Sequence, residues 1–173
     1  MNIVLVGYRG CGKSAVGEIL ARRLSRSCIG MDAEIVRRAG MPIPQIVEQF
    51  GWPTFRDMET RLALELADQD GLVIDTGGGV VERPENVAAL RKNGVVFWLT
   101  ASVPAIVSRI AKDTQRPALT SGKTFIEEIE EVLDRRTPLY RAASHYTIDT
   151  DQAGPDQVAE KIIAAGMGAK GLF

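Results

Sequence analysis

Residues 7–14 read Gly7-Tyr8-Arg9-Gly10-Cys11-Gly12-Lys13-Ser14, and this stretch decides the fold. It fits the pattern G-x-x-x-x-G-K-[ST]. Upstream lies Asn2-Ile3-Val4-Leu5-Val6, an apolar run that reads as a buried strand. Downstream, Val16, Ile19, Leu20, Ala21 and Leu24 recur at helical spacing. Strand, glycine loop and helix in this order aim backbone N–H groups and a helix N-terminus at an anion. Gly10 and Gly12 permit backbone angles that a side chain forbids, and let the chain approach a phosphate closely. Lys13 reaches the β- and γ-phosphates as a point charge. Ser14 offers Mg²⁺ a hydroxyl oxygen. Cys11, through its backbone N–H, and Ala15 belong to the same cradle. An ordinary glycine turn is the competing reading, but the flanking strand and helix favour a nucleoside triphosphate with Mg²⁺ as ligand.

The bulk properties set limits. A chain of 173 residues is expected to form one domain, 1–173, with a core of its own. Apolar residues make up 45% and charged residues 25%, the proportions of a globular protein. A net charge of −1 argues against a nucleic-acid surface as the main business. Arg outnumbers Lys by 15 to 6, a bias that suits planar recognition of carboxylate and phosphate. No apolar run has membrane-spanning length. The start of the chain lacks the basic flank and cleavage site of a signal peptide. With only Cys11 and Cys28 as thiols, a reducing compartment is expected, hence a cytoplasmic protein, and a monomer.

Strands are expected near 2–6, 27–31, 72–75, 94–99 and 144–149. Helices are expected at 13–25, 32–39, 43–50, 53–69, 84–92, 102–112, 124–141 and 155–166. Continuous apolar strands alternating with amphipathic helices imply an α/β fold with a parallel sheet covered on both faces. Residues 112–124 are polar and carry few core candidates, as expected of a lid that keeps water from a γ-phosphate. Residues 167–173 are glycine-rich and expected to be a frayed tail.

The acceptor of the reaction must be sought elsewhere, because a phosphate loop alone specifies a nucleotide and not a reaction. Leu72-Val73-Ile74-Asp75-Thr76-Gly77-Gly78-Gly79 is a strand ending in an acid and three glycines. Ligands bind at the C-terminal ends of such strands, and bare backbone there leaves room for a small substrate. Asp32 follows the strand Cys28 to Met31 and suits either a base for a hydroxyl proton or a helix N-cap. Arg56 lies beside the apolar positions Phe55, Leu62 and Leu66, with Glu59 one turn on to orient it. Arg136 continues the stripe Phe125, Ile129, Val132 and is expected to point inward, near an anion. Arg135 reads as a solvated charge. Arg116-Pro117 lies in the lid segment, from which the arginine reaches phosphate on closure. Together these residues point to a small anionic acceptor, a carboxylate bearing hydroxyls.

The ordered set of the phosphate loop, Asp32, Gly40, Phe55-Arg56 with Glu59, Thr76-Gly77-Gly78-Gly79, Arg116-Pro117 and Arg136-Thr137-Pro138-Leu139-Tyr140 resembles the shikimate kinases. The likeness runs from the loop almost to the C-terminus. It implies a three-layer P-loop NTPase fold of the nucleoside-monophosphate-kinase type, with a five-stranded parallel sheet and a lid. It implies ATP-dependent phosphorylation of the 3-hydroxyl of shikimate, on the route to aromatic amino acids. By position, Asp32 would hold ring hydroxyls and act as base, within substrate-binding helices at about 32–62. Arg56 and Arg136 would grip the carboxylate, and Gly77, Gly78 and Gly79 would line the ring site. Arg116 would contact phosphate, and Arg109 and Pro155 would sandwich adenine. One departure stands out. The family usually carries D-x-D where this chain has Gly30-Met31-Asp32, and a small residue where this chain has Asp75. Asp75 is therefore expected to replace the missing acid as a carboxylate for Mg²⁺. A gluconate or nucleoside-monophosphate kinase, or a catalytically weak homologue, remains the alternative. A GTP-dependent switch would need N-K-x-D, and the chain offers only Lys92-Asn93 in reverse order.

Overall fold

A computed structural model describes residues 1–110, 124–168 and 172. The expected lid at 112–124, with Arg116, lies outside the described residues apart from Thr124. Five strands form one sheet: β1 (Asn2–Val6), β2 (Ser27–Gly30), β3 (Leu72–Asp75), β4 (Gly94–Thr100) and β5 (Tyr146–Asp149). Their order is β2-β3-β1-β4-β5, and every pairing is parallel. The helices are α1 (Lys13–Leu24), α2 (Met31–Ala39), α3 (Ile43–Ala67), α4 (Pro84–Lys92), α5 (Val103–Ile110), α6 (Phe125–Ala143) and α7 (Pro155–Gly166).

Successive side chains of a strand point to opposite faces, and the two cores divide on that rule. Ile3 and Leu5 of β1, with Val95, Phe97 and Leu99 of β4, pack against Val16 and Leu20 of α1 and Val158 and Ile162 of α7. Val4 and Val6, with Val96 and Trp98, pack on the other side against Phe55 and Leu62 of α3, Leu90 of α4 and Tyr140 of α6. The sheet is therefore covered on both faces, as expected.

Three local features depart from the sequence reading. The helices expected at 43–50 and 53–69 form one element, broken at Gly51, whose φ of 80° interrupts the helical path; Pro53 then fits the first turn of the second half, where its missing N–H costs nothing. Phe125 does not join the buried stripe of α6. Ile129, Val132 and Arg136 are buried, but Phe125 opens the helix, is 43% exposed, and its ring faces the Arg9 guanidinium. In the segment expected to fray, Leu172 is fully buried in the α1/α7 core, and its carbonyl accepts a hydrogen bond from Arg26.

Polar groups tie the layers together. Buried Asn2 donates from Nδ2 to the carbonyls of Leu66 (3.2 Å) and Gln69 (2.9 Å), and its Oδ1 accepts the Leu72 N–H (2.9 Å). One side chain thus clamps the end of α3, the following turn and the start of β3 onto β1. His145 accepts the Val96 N–H at Nδ1 (2.9 Å), and burial, then Arg91, hold its pKa below the ordinary value. It is a structural, neutral histidine. Asn2→Ala takes the partner from the Leu72 N–H, while Leu66 O and Gln69 O keep the Gln69 N–H and Asn93 Nδ2, and is expected to lower stability by about 1–3 kcal/mol. Urea denaturation checks this; an unchanged midpoint would remove the clamp from the account.

Candidate active site

The phosphate loop joins β1 to α1. Gly7, Gly10 and Gly12 have φ of 145°, 80° and 95°, conformations that a side chain would strain. Gly12 caps α1 with no side-chain hydrogen bond, and the first turn holds no acid. The helix N-terminus is left electropositive and short of acceptors. Lys13 is buried, and its Nζ donates to the carbonyls of Gly7 (3.0 Å) and Tyr8 (3.1 Å). The Cys11 thiol is also buried. Burial pushes its pKa up despite the nearby Lys13 charge, which suits an inert loop residue rather than a reactive one. Gly10, Gly12, Lys13, Ser14 and Ala15 line one cavity, joined by Asp32 and Asp75.

Asp75 ends β3 at the same sheet edge. The Ser14 hydroxyl donates to its Oδ2 at 2.6 Å. Asp75 is in register with Leu5 of β1 and with Gly30 of β2. It therefore stands directly across the strand pair from the position where the sequence lacks an acid. A hydroxyl and a carboxylate oxygen side by side form a hard donor set of the kind Mg²⁺ takes. Arg109 of α5 donates to Gly10 O (3.2 Å) and to Thr150 Oγ1 and O (3.0 and 2.7 Å). It ties the loop to the end of β5. Pro155 opens α7. Neither Arg109 nor Pro155 lines the loop cavity.

A second cavity adjoins the first. Asp32 sits in the first turn of α2, behind an N-cap that is Gly30, so the N-cap reading of Asp32 is excluded. A Cβ on Gly77 would lie 2.7 Å from Asp32 Oδ1 and 2.6 Å from Glu59 Oε1. Two carboxylates thus abut the first glycine of the triplet, and only glycine fits between them. A Cβ on Gly79 would overlap the Arg56 guanidinium. Tyr140 donates from its hydroxyl to Gly78 O, pinning the triplet to α6.

The arginines are held by an acid that the sequence reading missed. Glu82, in a 3₁₀ turn at Val80–Glu82, accepts from Arg136 Nε (2.9 Å) and Arg135 Nη2 (2.9 Å) through Oε1, and pairs with Arg56 Nη2 (3.2 Å) through Oε2. Arg135 is exposed, as expected, yet it is paired rather than merely solvated. Arg56 also donates to Glu59 Oε2 (2.7 Å), and its guanidinium lies over the rings of Phe55 (5.4 Å) and Trp52 (5.5 Å). Burial alone would raise the pKa of Glu82, but Arg136, Arg56 and Arg135 outweigh it and hold it below the usual carboxylate value. At Glu59 burial wins over Arg56, and the pKa is raised. The sequence did contain a signal: a buried Arg136 demands an anion, and Glu82 is an acid just past the triple glycine.

Four buried side-chain atoms lack a hydrogen-bond partner among the described residues: Tyr8 Oη, Arg9 Nε, Glu59 Oε1 and Asn86 Oδ1. The first three belong to residues lining this second cavity, together with Asp32, Arg56 and Arg136. Unsatisfied polar atoms in a native cavity are places where a ligand, an ion or a water can supply the partners.

Comparison with known proteins agrees with this geometry. The family described as Shikimate kinase matches residues 9–166. The chain is 39% identical to a shikimate kinase of Caldicellulosiruptor bescii, covering 94% of each sequence. It is 43% identical to one of Pelotomaculum thermopropionicum, covering 94% of this chain and 93% of that one. The fold superposes on shikimate kinase from Acinetobacter baumannii in complex with shikimate with a TM-score of 0.92, at 37% identity and over 98% of this chain and 94% of that one. A phosphate loop beside a cavity lined by buried Arg136 and partly buried Arg56 is thus found in a chain that belongs to the shikimate kinase family.

Proposed function

We propose that the chain transfers the γ-phosphoryl group of ATP to the 3-hydroxyl of shikimate. The observation that carries this reading is the second cavity. It combines the guanidinium groups of buried Arg136 and partly buried Arg56, two carboxylates against Gly77 and three unsatisfied polar atoms, beside a phosphate loop. That inventory matches a ring acid bearing hydroxyls. Arg56 and Arg136 bind its carboxylate in the bidentate manner for which guanidinium is suited. Asp32 and the Gly77–Gly79 backbone hold the ring hydroxyls, and Asp32, which lines both cavities, accepts the proton of the attacking one. Lys13 and Arg116 offset the charge on the transferred group, and Arg109 and Pro155 flank the adenine. Catalysis is positioning and charge stabilisation, as in other phosphoryl transfers.

The oxygen pair of Ser14 and Asp75 suits Mg²⁺, which keeps several waters and binds few protein groups. When bound, the ion supplies charge neutralisation for the departing phosphate. Two free cysteines, one buried and one partly so, suit a reducing compartment, and we place the enzyme in the cytoplasm as a monomer.

Coupled detection of ADP tests the reading: turnover requires shikimate, and gluconate or nucleoside monophosphates do not replace it. Arg56→Ala removes one buried contact to the carboxylate. It is expected to weaken shikimate binding by about 2–4 kcal/mol, roughly 30–1000-fold, with ATP binding little changed. Equal loss of both ligands would count against the assignment. Asp75→Asn is expected to raise the Mg²⁺ concentration for half-maximal rate about tenfold or more. Near-normal Mg²⁺ dependence in that variant would remove Asp75 from the metal site.

A further inference from the structure

Among the described residues, three line both cavities: Arg9, Asp32 and Gly78. The boundary between a nucleotide cavity and an acceptor cavity is where a phosphoryl group crosses. Asp32 is the acid of this boundary, and Gly78 contributes only backbone. Arg9 is its cation, and none of the roles above uses it.

The environment of Arg9 differs from that of the other arginines in the site. Arg56 and Arg136 are paired with carboxylates, and Arg109 is hydrogen-bonded to backbone and Thr150. The Nε of Arg9 is buried without a hydrogen-bond partner. Aromatic faces hold the guanidinium instead: its centre is 6.0 Å from the Tyr8 ring centroid and 5.6 Å from that of Phe125. Cation–π contacts fix a guanidinium in place without neutralising its charge. A carboxylate partner would cancel that charge and compete with phosphate for the same N–H groups. A buried guanidinium N–H with no acceptor among the described residues is unfavourable, and that cost is recovered when an anion supplies one. The Arg9 main-chain nitrogen lies 3.7 Å from the place a Gly78 Cβ would take. The loop and the triplet glycine are therefore in close approach where the guanidinium is anchored.

We infer that Arg9 is a catalytic residue whose guanidinium contacts the γ-phosphoryl group as it passes from ATP to the acceptor oxygen. The inference rests on the kinase reading. In the step, the bond from the γ-phosphorus to the β,γ-bridging oxygen breaks, and its electron pair leaves with ADP. The bond from the acceptor oxygen to phosphorus forms, and the hydroxyl proton goes to the Asp32 carboxylate. Arg9 changes neither its bonds nor its protonation. It stabilises charge spread over the equatorial oxygens, which is greatest between the two cavities.

The test uses Arg9→Met, which keeps a long apolar stem beside the two rings, and Arg9→Lys, which keeps a charge without the planar fork. Four quantities are measured for each: kcat, the dissociation constants of ADP and of shikimate, and melting temperature. Arg9→Met is expected to lose about 100–1000-fold in kcat. Both dissociation constants are expected to stay within about threefold of the unaltered protein's. Arg9→Lys is expected to recover about tenfold of the loss. A kcat within about twofold in folded Arg9→Met overturns the inference, and so does a loss matched by equally weakened binding of either ligand. Should Arg9→Met fail to fold, Arg9→Lys decides alone: an about tenfold or greater drop in kcat at unchanged affinities supports the role, and an unchanged kcat refutes it. If the unaltered protein shows no shikimate-dependent ADP release, the kinase reading itself falls. If it turns over and Arg9→Met matches it, only the role of Arg9 falls.

Discussion

A guanidinium group withdrawn from water needs an anion, and the acceptor cavity is organised around that need. Arg136 and Arg56 keep 5% and 14% of their side-chain surface exposed, so solvent cannot serve both. Glu82 bridges them and also takes Arg135, while Glu59 accepts from Arg56 Nη1. In this cluster three guanidinium groups meet two carboxylates. The Arg56 and Arg136 guanidinium groups line the cavity, where a substrate carboxylate would complement them. Because Glu82 lies outside the cavity that holds Asp32 and the triple glycine, it fixes the arginines from behind and leaves the substrate side open.

The sheet supplies the frame for this cluster. With all strands parallel and β1 between β3 and β4, the segments that follow β1 and β3 emerge side by side. The first is the phosphate loop and the second is the triple glycine. Thr76 secures the junction by donating both its N–H (3.2 Å) and its hydroxyl (2.9 Å) to Leu5 O. The register also accounts for the unusual acid. Gly30 and Asp75 are Cα partners across β2 and β3. A carboxylate can thus move from one strand to its neighbour and still face the same edge of the sheet, within hydrogen-bond reach of Ser14.

Much of this was legible in the sequence because it rests on local pattern. The phosphate loop, the continuous apolar strands and the glycine triplet each declare themselves within about ten residues, and they fall at the sheet edge that an α/β fold reserves for ligands. The inward orientation of Arg136 followed from helical spacing to Ile129 and Val132. What escaped depends on long-range partners. Nothing local distinguishes Glu82 from other surface acids, since its meaning comes from arginines 26 and more than 50 residues away. Asn2 looks like an ordinary strand residue until α3 and β3 are seen to close on it. Phe125 fits a buried stripe by spacing alone, but it opens the helix and its ring faces Arg9 instead. The gap between Ser14 and Asp75, 61 residues in sequence and 2.6 Å in space, could be guessed from an absent acid and required the register to be explained.

The most direct measurement leaves the protein untouched and changes the charge of its partner. Comparing kcat/KM for shikimate with that for its carboxamide isolates the attraction between Arg56, Arg136 and a carboxylate. A loss of about 30–1000-fold for the uncharged analogue is the predicted result. Equal kcat/KM for the two compounds would contradict the claim that these two guanidinium groups define the acceptor.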